Sequence, residues 1–429
     1  MEKGHFGTDG IRGIYGKTLT ERTAFALGKA LGSRGDILIG RDDRLSSPTL
    51  SRAVASGAAL AGANVLSVGL TTTPALFYVL SRLPYRYAVM VTASHNPPDH
   101  NGLKVFTKEG KPDEKTRKEI EEALEKENEE TPPLGLLRED PAPLALYEEF
   151  VRASFPDLSG MTIVLDPARG AACRFKGLLG TLGARVIPLN AEANGAQINV
   201  GCGALHPEIC AKKTIETGAD LGVALDGDGD RIVAVDKGGT ILDGDRILYA
   251  LALRMKRRNL LSKNKIAMTV MTNAGVIKSL NDHDVAVRIT PVGDSEVAAA
   301  MKEEGLNLGG EQSGHVILGD LLPTGDGLLV AAALLQSIRE DGPLSQDPPP
   351  TLYAQSRRDL PVPDKRIAYD PALLLYAREI EEELGEGRVL LRASGTEDLL
   401  RILVEHPNEE TANQAAERIA ERIRKITSI

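Results

Sequence analysis

The sequence predicts an α/β protein: three similar α/β domains, each with a mixed sheet between helices, and a smaller C-terminal α+β domain, gathered around a central cleft. Two observations carry this. Short apolar runs of strand length alternate with helical stretches along most of the chain. In each of the first three stretches, one such run ends in a polar loop rich in Gly or Pro: Ala93–Asn96, Asp226–Arg231 and Gly309–His315. Ligands of layered α/β proteins collect beyond the carboxyl ends of strands, so three such loops predict one shared cleft.

The elements follow in order. Domain 1 (residues 1–150) holds strands near Ile37–Ile39, Val65–Val68 and Tyr87–Val91. The charge-rich segment Asp113–Glu130, with Ile120 and Leu124 on one face, predicts a helix whose other face is solvated. Pro132-Pro133 and Pro141-Ala-Pro143 mark a boundary. Domain 2 (151–250) runs through Thr162–Leu165, Arg185–Ile187 and Asp220–Leu225, and domain 3 (251–350) through Ile266–Val270, Val285–Val287 and Leu306–Leu308. Gly342-Pro343 to Pro350 reads as a linker to the last domain (351–429). That domain closes in a helix with Ala412, Ala416, Ile419, Ile423 and Ile426 at helical spacing.

Composition narrows the function classes. With 42% hydrophobic and 26% charged residues the chain can build a large core. A net charge of −9 and only 4% aromatics argue against a nucleic-acid or anionic-membrane partner. Cys173, Cys202 and Cys210 are odd in number and lack metal-ligand spacing, which predicts reduced, incidental thiols. The first residues lack an apolar signal core, and no run approaches a membrane span, so a cytoplasmic protein is expected.

Three motifs carry chemistry. Ser94 stands where the apolar run Tyr87–Val91 gives way to Asn96-Pro97-Pro98, beside His95 and ten residues before Lys104. A hydroxyl at a strand-to-loop junction is placed as a nucleophile, although a lone Ser there can simply turn the chain. Asp226-Gly-Asp228-Gly-Asp230-Arg231 sets three carboxylates at alternate positions, with glycines that let the loop fold tightly round one point. Oxygen-only ligation suits a hard cation such as Mg²⁺, and Arg231 can meet phosphate oxygens beside it. An EF-hand is excluded, because its sixth position would be Arg231 and its twelfth Lys237. Arg392-Ala-Ser394-Gly395-Thr396, followed by Arg401, offers hydroxyls, backbone N–H groups and cations to a phosphate; a helix-capping turn is the plain alternative. Neither a Walker A loop at Gly16-Lys17-Thr18 nor a Gly-x-Ser-x-Gly elbow round Ser94 is present.

Gly7–Gly13, Thr92–Pro97, Asp226–Arg231, Gly310–His315 and Arg392–Glu397 occur in the order found in the α-D-phosphohexomutases, and the chain resembles that family over its whole length. Phe6–Gly13, Gly195–Asn199 with Cys202-Gly203, and Gly310–Gly314 are most similar to bacterial members that act on glucosamine phosphates. The resemblance implies a phosphoserine at Ser94 and one Mg²⁺ held by its phosphoryl oxygen with Asp226, Asp228 and Asp230. It implies that Glu311 and Ser313, next to His315, hold sugar hydroxyls, and that Arg392, Ser394, Gly395 and Thr396 grip the phosphate not being transferred. Glucosamine 1,6-bisphosphate would be intermediate and activator. Arg12, Lys104 and Arg231 would neutralise charge, with His95, Lys104 and His315 the candidate bases. A monomer or homodimer acting on a small phosphosugar is expected. Two departures stand out: Asp398 follows Glu397 where the family usually has Pro, and Asp294 is followed by Ser295 where Arg-Tyr is usual. A mannose or glucose phosphomutase, or a metal-dependent phosphatase using Ser94, are the competing readings.

Overall fold

Tyr87–Val91 is buried at every residue, which only a strand covered on both faces can be. In the computed structural model, which describes residues 7, 10–125, 132–394 and 398–427, it lies inside a six-stranded mixed sheet. The elements of this layer are β1 (Ile11–Ile14), α1 (Glu21–Gly32), β2 (Ile37–Arg41), α2 (Ser47–Leu60), β3 (Val65–Leu70), α3 (Thr73–Arg82), β4 (Tyr87–Val91), β5 (His100–Phe106), α4 (Glu114–Glu125) and β6 (Leu137–Glu139). The strand order is β1-β5-β4-β2-β3-β6. β2 pairs in parallel with β3 and β4, whereas β5 runs antiparallel to β1 and β4. Leu27, Leu31, Val54, Val89, Val105 and Ile120 belong to the core beneath it. The helix expected over Asp113–Glu130 begins at Glu114 and is followed to Glu125; residues 126–130 lie outside the described residues.

After α5 (Ala145–Ser154) come β7 (Thr162–Asp166), β8 (Arg185–Pro188), α6 (Pro207–Thr217), β9 (Leu221–Leu225), β10 (Ile232–Asp236) and β11 (Ile241–Leu242), in the order β11-β10-β9-β7-β8. α7 (Gly244–Arg257), β12 (Lys265–Thr269), α8 (Ala274–Asp282), β13 (Ala286–Thr290), α9 (Asp294–Glu304), β14 (Leu308–Gly310), β15 (Val316–Leu318) and α10 (Gly327–Asp341) follow, with a sheet ordered β13-β12-β14-β15. The strand expected at Leu306–Leu308 is displaced onto Leu308–Gly310. Gly309 and Gly310, expected in a loop, instead pair with β12 and β15. Without side chains of their own, they let β14 lie close to its neighbours: a Cβ on Gly309 would sit 2.9 Å from Ala267 O.

The chain folds as two compact units, Met1–Val270 with Arg288–Pro348, and Met271–Val287 with Pro349–Ile429. The second contains β16 (Ala354–Pro361), α11 (Pro371–Leu384), β17 (Arg388–Ala393), β18 (Leu399–His406) and α12 (Glu409–Thr427), with sheet order β16-β18-β17. Ala412, Ala416, Ile419 and Ile423 of α12 lie in its core, as the helical spacing predicts. Helix α8, which the sequence places within domain 3, belongs to this unit. Asn273 exchanges hydrogen bonds with the Tyr353 backbone at 3.0 and 2.9 Å, and Ala274 N–H donates to Glu405 Oε2 at 3.1 Å. All three cysteines are buried free thiols. No helix among the described residues is long and apolar enough to cross a membrane.

Candidate active site

Beyond β4 the chain turns sharply at Ser94, which has a left-handed φ of 54° and is buried to 1% exposure. A non-glycine residue in that region costs about 1–3 kcal/mol and persists only where the surroundings impose it. They do. Arg44, fully buried just after β2, donates through Nη2 to Ser94 O and Asn96 O, both at 2.8 Å, and through Nη1 to His100 O at 3.0 Å and to Pro97 O. Its Nε pairs with Asp42 Oδ2 at 2.9 Å, and the same oxygen accepts Thr92 Oγ1 at 2.7 Å. From domain 2, Asn199 Nδ2 donates to Ser94 O at 2.9 Å and to Asn96 O at 3.2 Å. The Gly195–Asn199 segment, a mark of resemblance in the sequence, is thus a strut for the Ser94 loop.

The loop between β9 and β10 brings its carboxylates to this hydroxyl. Ser94 Oγ donates to Asp226 Oδ2 at 2.6 Å, and Asp226 Oδ1 accepts N–H groups of Gly229 and Arg231 at 3.1 and 3.2 Å. The approach needs glycine at 227, since a Cβ there would lie 2.6 Å from Ser94 O. Asp228 Oδ2 accepts Thr73 Oγ1 from the start of α3 and Lys104 Nζ at 2.6 Å; Lys104 Nζ also reaches Asp230 Oδ2 at 3.0 Å. One oxygen from each of Asp226, Asp228 and Asp230 lies within 4.8 Å of the others, and all three residues are buried. Asp228 Oδ1 and Asp230 Oδ1 are buried with no hydrogen-bond partner among the described residues. Converging, partner-free carboxylate oxygens beside a hydroxyl fit a hard divalent cation.

Electrostatics follow from this crowding. Burial, then Asp230 and Asp228, push the Asp226 carboxyl well above its ordinary range. Burial acts the same way on Asp230, but Lys104, with Arg231 behind it, outweighs burial and holds that carboxyl low. Burial disfavours the Lys104 charge, yet Asp228 and Asp230 keep the ammonium well above its usual range. Lys104 is therefore an internal counter-cation of the carboxylates, and it stands with His95 and His315 among the three candidate bases. His95 Nδ1 lies 3.3 Å from Ser94 Oγ; burial, then Arg231 and Arg12, lower its pKa to about 4, so the ring is neutral near pH 7. Arg12 enters on β1, opposite Gly102 of β5, where a Cβ would lie 3.1 Å from Arg12 Cγ.

The β14–β15 loop joins from domain 3. Ile232 N–H donates to Gly314 O at 3.0 Å and Gly327 N–H to Gly229 O at 3.0 Å, tying this region to the metal-type loop. Glu311 Oε1 accepts Gly293 N–H at 3.0 Å, Ser313 is exposed, and His315 is buried with Nε2 accepting Gly325 N–H at 3.0 Å. That bond occupies the lone pair a base would use, so His315 is poorly placed to take a proton through Nε2.

In the C-terminal unit, Arg392 of β17 pairs across the sheet with Arg401 of β18, and buried Ser394 donates its N–H to Leu399 O at 2.8 Å. Two arginines directly opposite one another are favoured where an anion joins them. Gly395, Thr396 and Glu397 lie outside the described residues. Asp398 is exposed, and its carbonyl accepts Val362 N–H at 3.0 Å.

Arg44, Asp42, Thr73 and Asn199 carry no chemical signal of their own in the sequence. Their roles arise from contacts between segments 50 to 155 residues apart, and the Arg-Asp-Asp-Arg run after β2 is the nearest thing to a clue.

Four family models match in succession: phosphoglucomutase/phosphomannomutase domain I at residues 3–131, domain II at 146–239, domain III at 243–349 and the C-terminal domain at 360–422. A phosphoglucosamine mutase of Leuconostoc mesenteroides is 39% identical over 449 aligned residues, covering 99% of this chain and 98% of that protein. One of Bacillus cereus is 38% identical over 439, covering 98% of each. Among solved structures, a phosphoglucomutase/phosphomannomutase family protein of Burkholderia thailandensis superposes with a TM-score of 0.80 at 26% identity, over 97% of this chain and 96% of that one. The N-acetylphosphoglucosamine mutase of Aspergillus fumigatus, solved with GlcNAc-6P and magnesium, shares the fold with a TM-score of 0.67 at 17% identity, over 98% of this chain and 96% of that one. With matches over nearly its full length, and with the hydroxyl, carboxylates and arginines set out as above, the chain belongs to the phosphoglucomutase/phosphomannomutase family, the α-D-phosphohexomutases.

Proposed function

We propose that this phosphohexomutase interconverts glucosamine 6-phosphate and glucosamine 1-phosphate through phosphoSer94 and a 1,6-bisphosphate, in the cytoplasm, supplying precursors of UDP-N-acetylglucosamine. The observation that carries the chemistry is Ser94 Oγ at 2.6 Å from Asp226, within the buried trio of carboxylates. The full-length likeness to phosphoglucosamine mutases supports the amino sugar. Domains 1–150, 151–250, 251–350 and 351–429 would supply the phosphoserine, metal, sugar and phosphate-binding loops.

Asp226, Asp228 and Asp230 would hold Mg²⁺ together with an oxygen on Ser94. When bound, the ion supplies charge neutralisation for a phosphoserine that carries about −1.5 to −2 charges. The residues of the chain do the rest. A sugar hydroxyl attacks the phosphorus; its O–P bond forms as the Ser94 Oγ–P bond breaks, and its proton passes to His95, the base nearest Ser94 Oγ at 3.3 Å. Arg12, Arg231 and Lys104 balance the transferring group. Arg392, Ser394, Gly395, Thr396 and Arg401 grip the other phosphate, an anion between two facing arginines. The bisphosphate then turns over and returns its second phosphoryl group to Ser94.

The test is assay of purified protein with Mg²⁺, a trace of bisphosphate and, separately, glucosamine, glucose and mannose 6-phosphates. The expected result is fastest turnover on glucosamine 6-phosphate, and none in Ser94→Ala. Mutase activity surviving in Ser94→Ala would overturn the phosphoserine; a preference for another sugar would overturn the substrate. Release of free phosphate with no 1-phosphate would make the protein a phosphatase.

A further inference from the structure

Domains 1 and 3 meet at an ion pair that no motif predicts. Lys111, in the turn after β5, places Nζ 2.6 Å from Asp294 Oδ1 at the start of α9, and the two side chains are only 15% and 19% exposed. Asp294 Oδ1 also accepts Ser295 N–H at 2.8 Å, and Oδ2 lies 3.6 Å from His315 Nε2. Because Nε2 accepts the Gly325 N–H, the His315 ring presents Asp294 with no proton there. Gly293, the preceding residue, donates its N–H to Glu311 Oε1. The Asp294 carboxylate therefore stands beside His315, one residue on from the backbone N–H that holds Glu311, and outside the trio Asp226, Asp228 and Asp230.

A glucosamine phosphate differs from a neutral hexose phosphate at one atom of consequence, the ammonium on C2. Selecting it calls for a partly desolvated carboxylate in the sugar site, one that a neutral hydroxyl cannot satisfy equally well. The Lys111 ammonium at 2.6 Å shows that Asp294 accepts an alkylammonium at hydrogen-bond distance. We propose that Asp294 is the specificity residue for the amino sugar, with the substrate C2 ammonium taking the place of Lys111 Nζ on its carboxylate. Lys111 then acts as a displaceable stand-in that keeps Asp294 paired until the sugar enters. The inference rests on the reading that the substrate is a hexosamine phosphate.

The experiment compares kcat/KM for glucosamine 6-phosphate and glucose 6-phosphate in wild type, Asp294→Asn and Lys111→Ala, with melting temperatures as a check of folding. Asp294→Asn is expected to cut the glucosamine-to-glucose ratio about tenfold or more, the worth of one charge-assisted hydrogen bond, chiefly through KM for the amino sugar. Lys111→Ala, which leaves the carboxylate without its competitor, is expected to raise that ratio or hold it. An unchanged ratio in Asp294→Asn, or equal losses on both sugars in both variants, would reduce the pair to a strut between domains and overturn the assignment. Should Asp294→Asn fail to fold, a lowered ratio in Lys111→Ala overturns it independently. A wild type with no preference for glucosamine 6-phosphate refutes the substrate itself, and is seen before any variant is made.

Discussion

Replacing Arg44 by Met tests how the reactive loop is held. Met fills much of the same buried space but offers no donor, so the carbonyls of Ser94, Asn96, Pro97 and His100 lose this partner together. Asp42 loses its counter-ion as well; burial already pushes its carboxyl up, and Arg44 is the first influence pulling it down. Breaking a buried ion pair by removing one partner costs about 3–5 kcal/mol. In a unit this large that is a fall in melting temperature of roughly 6–20 °C, at about 2–4 °C per kcal/mol. Below the new transition, kcat is expected to fall at least about tenfold while KM changes little, because a Ser94 loop relaxing from φ 54° misplaces the reacting oxygen and not the sugar contacts. Asp42→Asn in the same protein removes the stranded charge, so the double variant should regain part of the stability and none of the turnover. Scanning calorimetry and steady-state assays read both effects. An Arg44→Met protein that melts within about 2 °C of wild type and turns over normally would refute the clamp.

Two further predictions concern the frame around the site. Asp326 caps α10 and accepts Tyr147 Oη at 2.8 Å; burial raises its pKa from 3.8 to about 6. A carboxyl raised in the folded state adds stability below its unfolded value, and that stability is lost as pH rises through the folded one. Between about pH 4 and 6, in chelator-treated protein, wild type should therefore lose up to about 3 kcal/mol more than Asp326→Asn in denaturant titrations, and parallel pH profiles would refute the shift. Gly314 has φ 93°, and a Cβ there would lie 2.2 Å from Ile232 O, a backbone atom that cannot yield. Gly314→Ala should cost about 2–4 kcal/mol from strain and overpacking together, and raise KM for the sugar phosphate; an unchanged denaturation midpoint would contradict it.

The sequence alone determined the layered α/β class, the buried strand Tyr87–Val91 and the convergence of three carboxylates in one tight loop, because each rests on local pattern. Continuous apolar runs mark strands buried on both faces, and carboxylates at 226, 228 and 230 share one side of a tight turn whatever the rest of the chain does. Where β14 begins was not legible, since Gly309 and Gly310 read as loop until β12 and β15 give them partners. Only the tertiary structure decided that Lys104 neutralises Asp228 and Asp230, that Arg44 and Asn199 hold Ser94, that Lys111 meets Asp294, and that α8 belongs with the C-terminal unit. Each of the five side-chain contacts joins residues 50 to 183 positions apart. A charged side chain takes its role from whichever opposite charge or carbonyl is buried beside it, and that neighbour is fixed by the packing of the layers and not by the residues next to it in the chain.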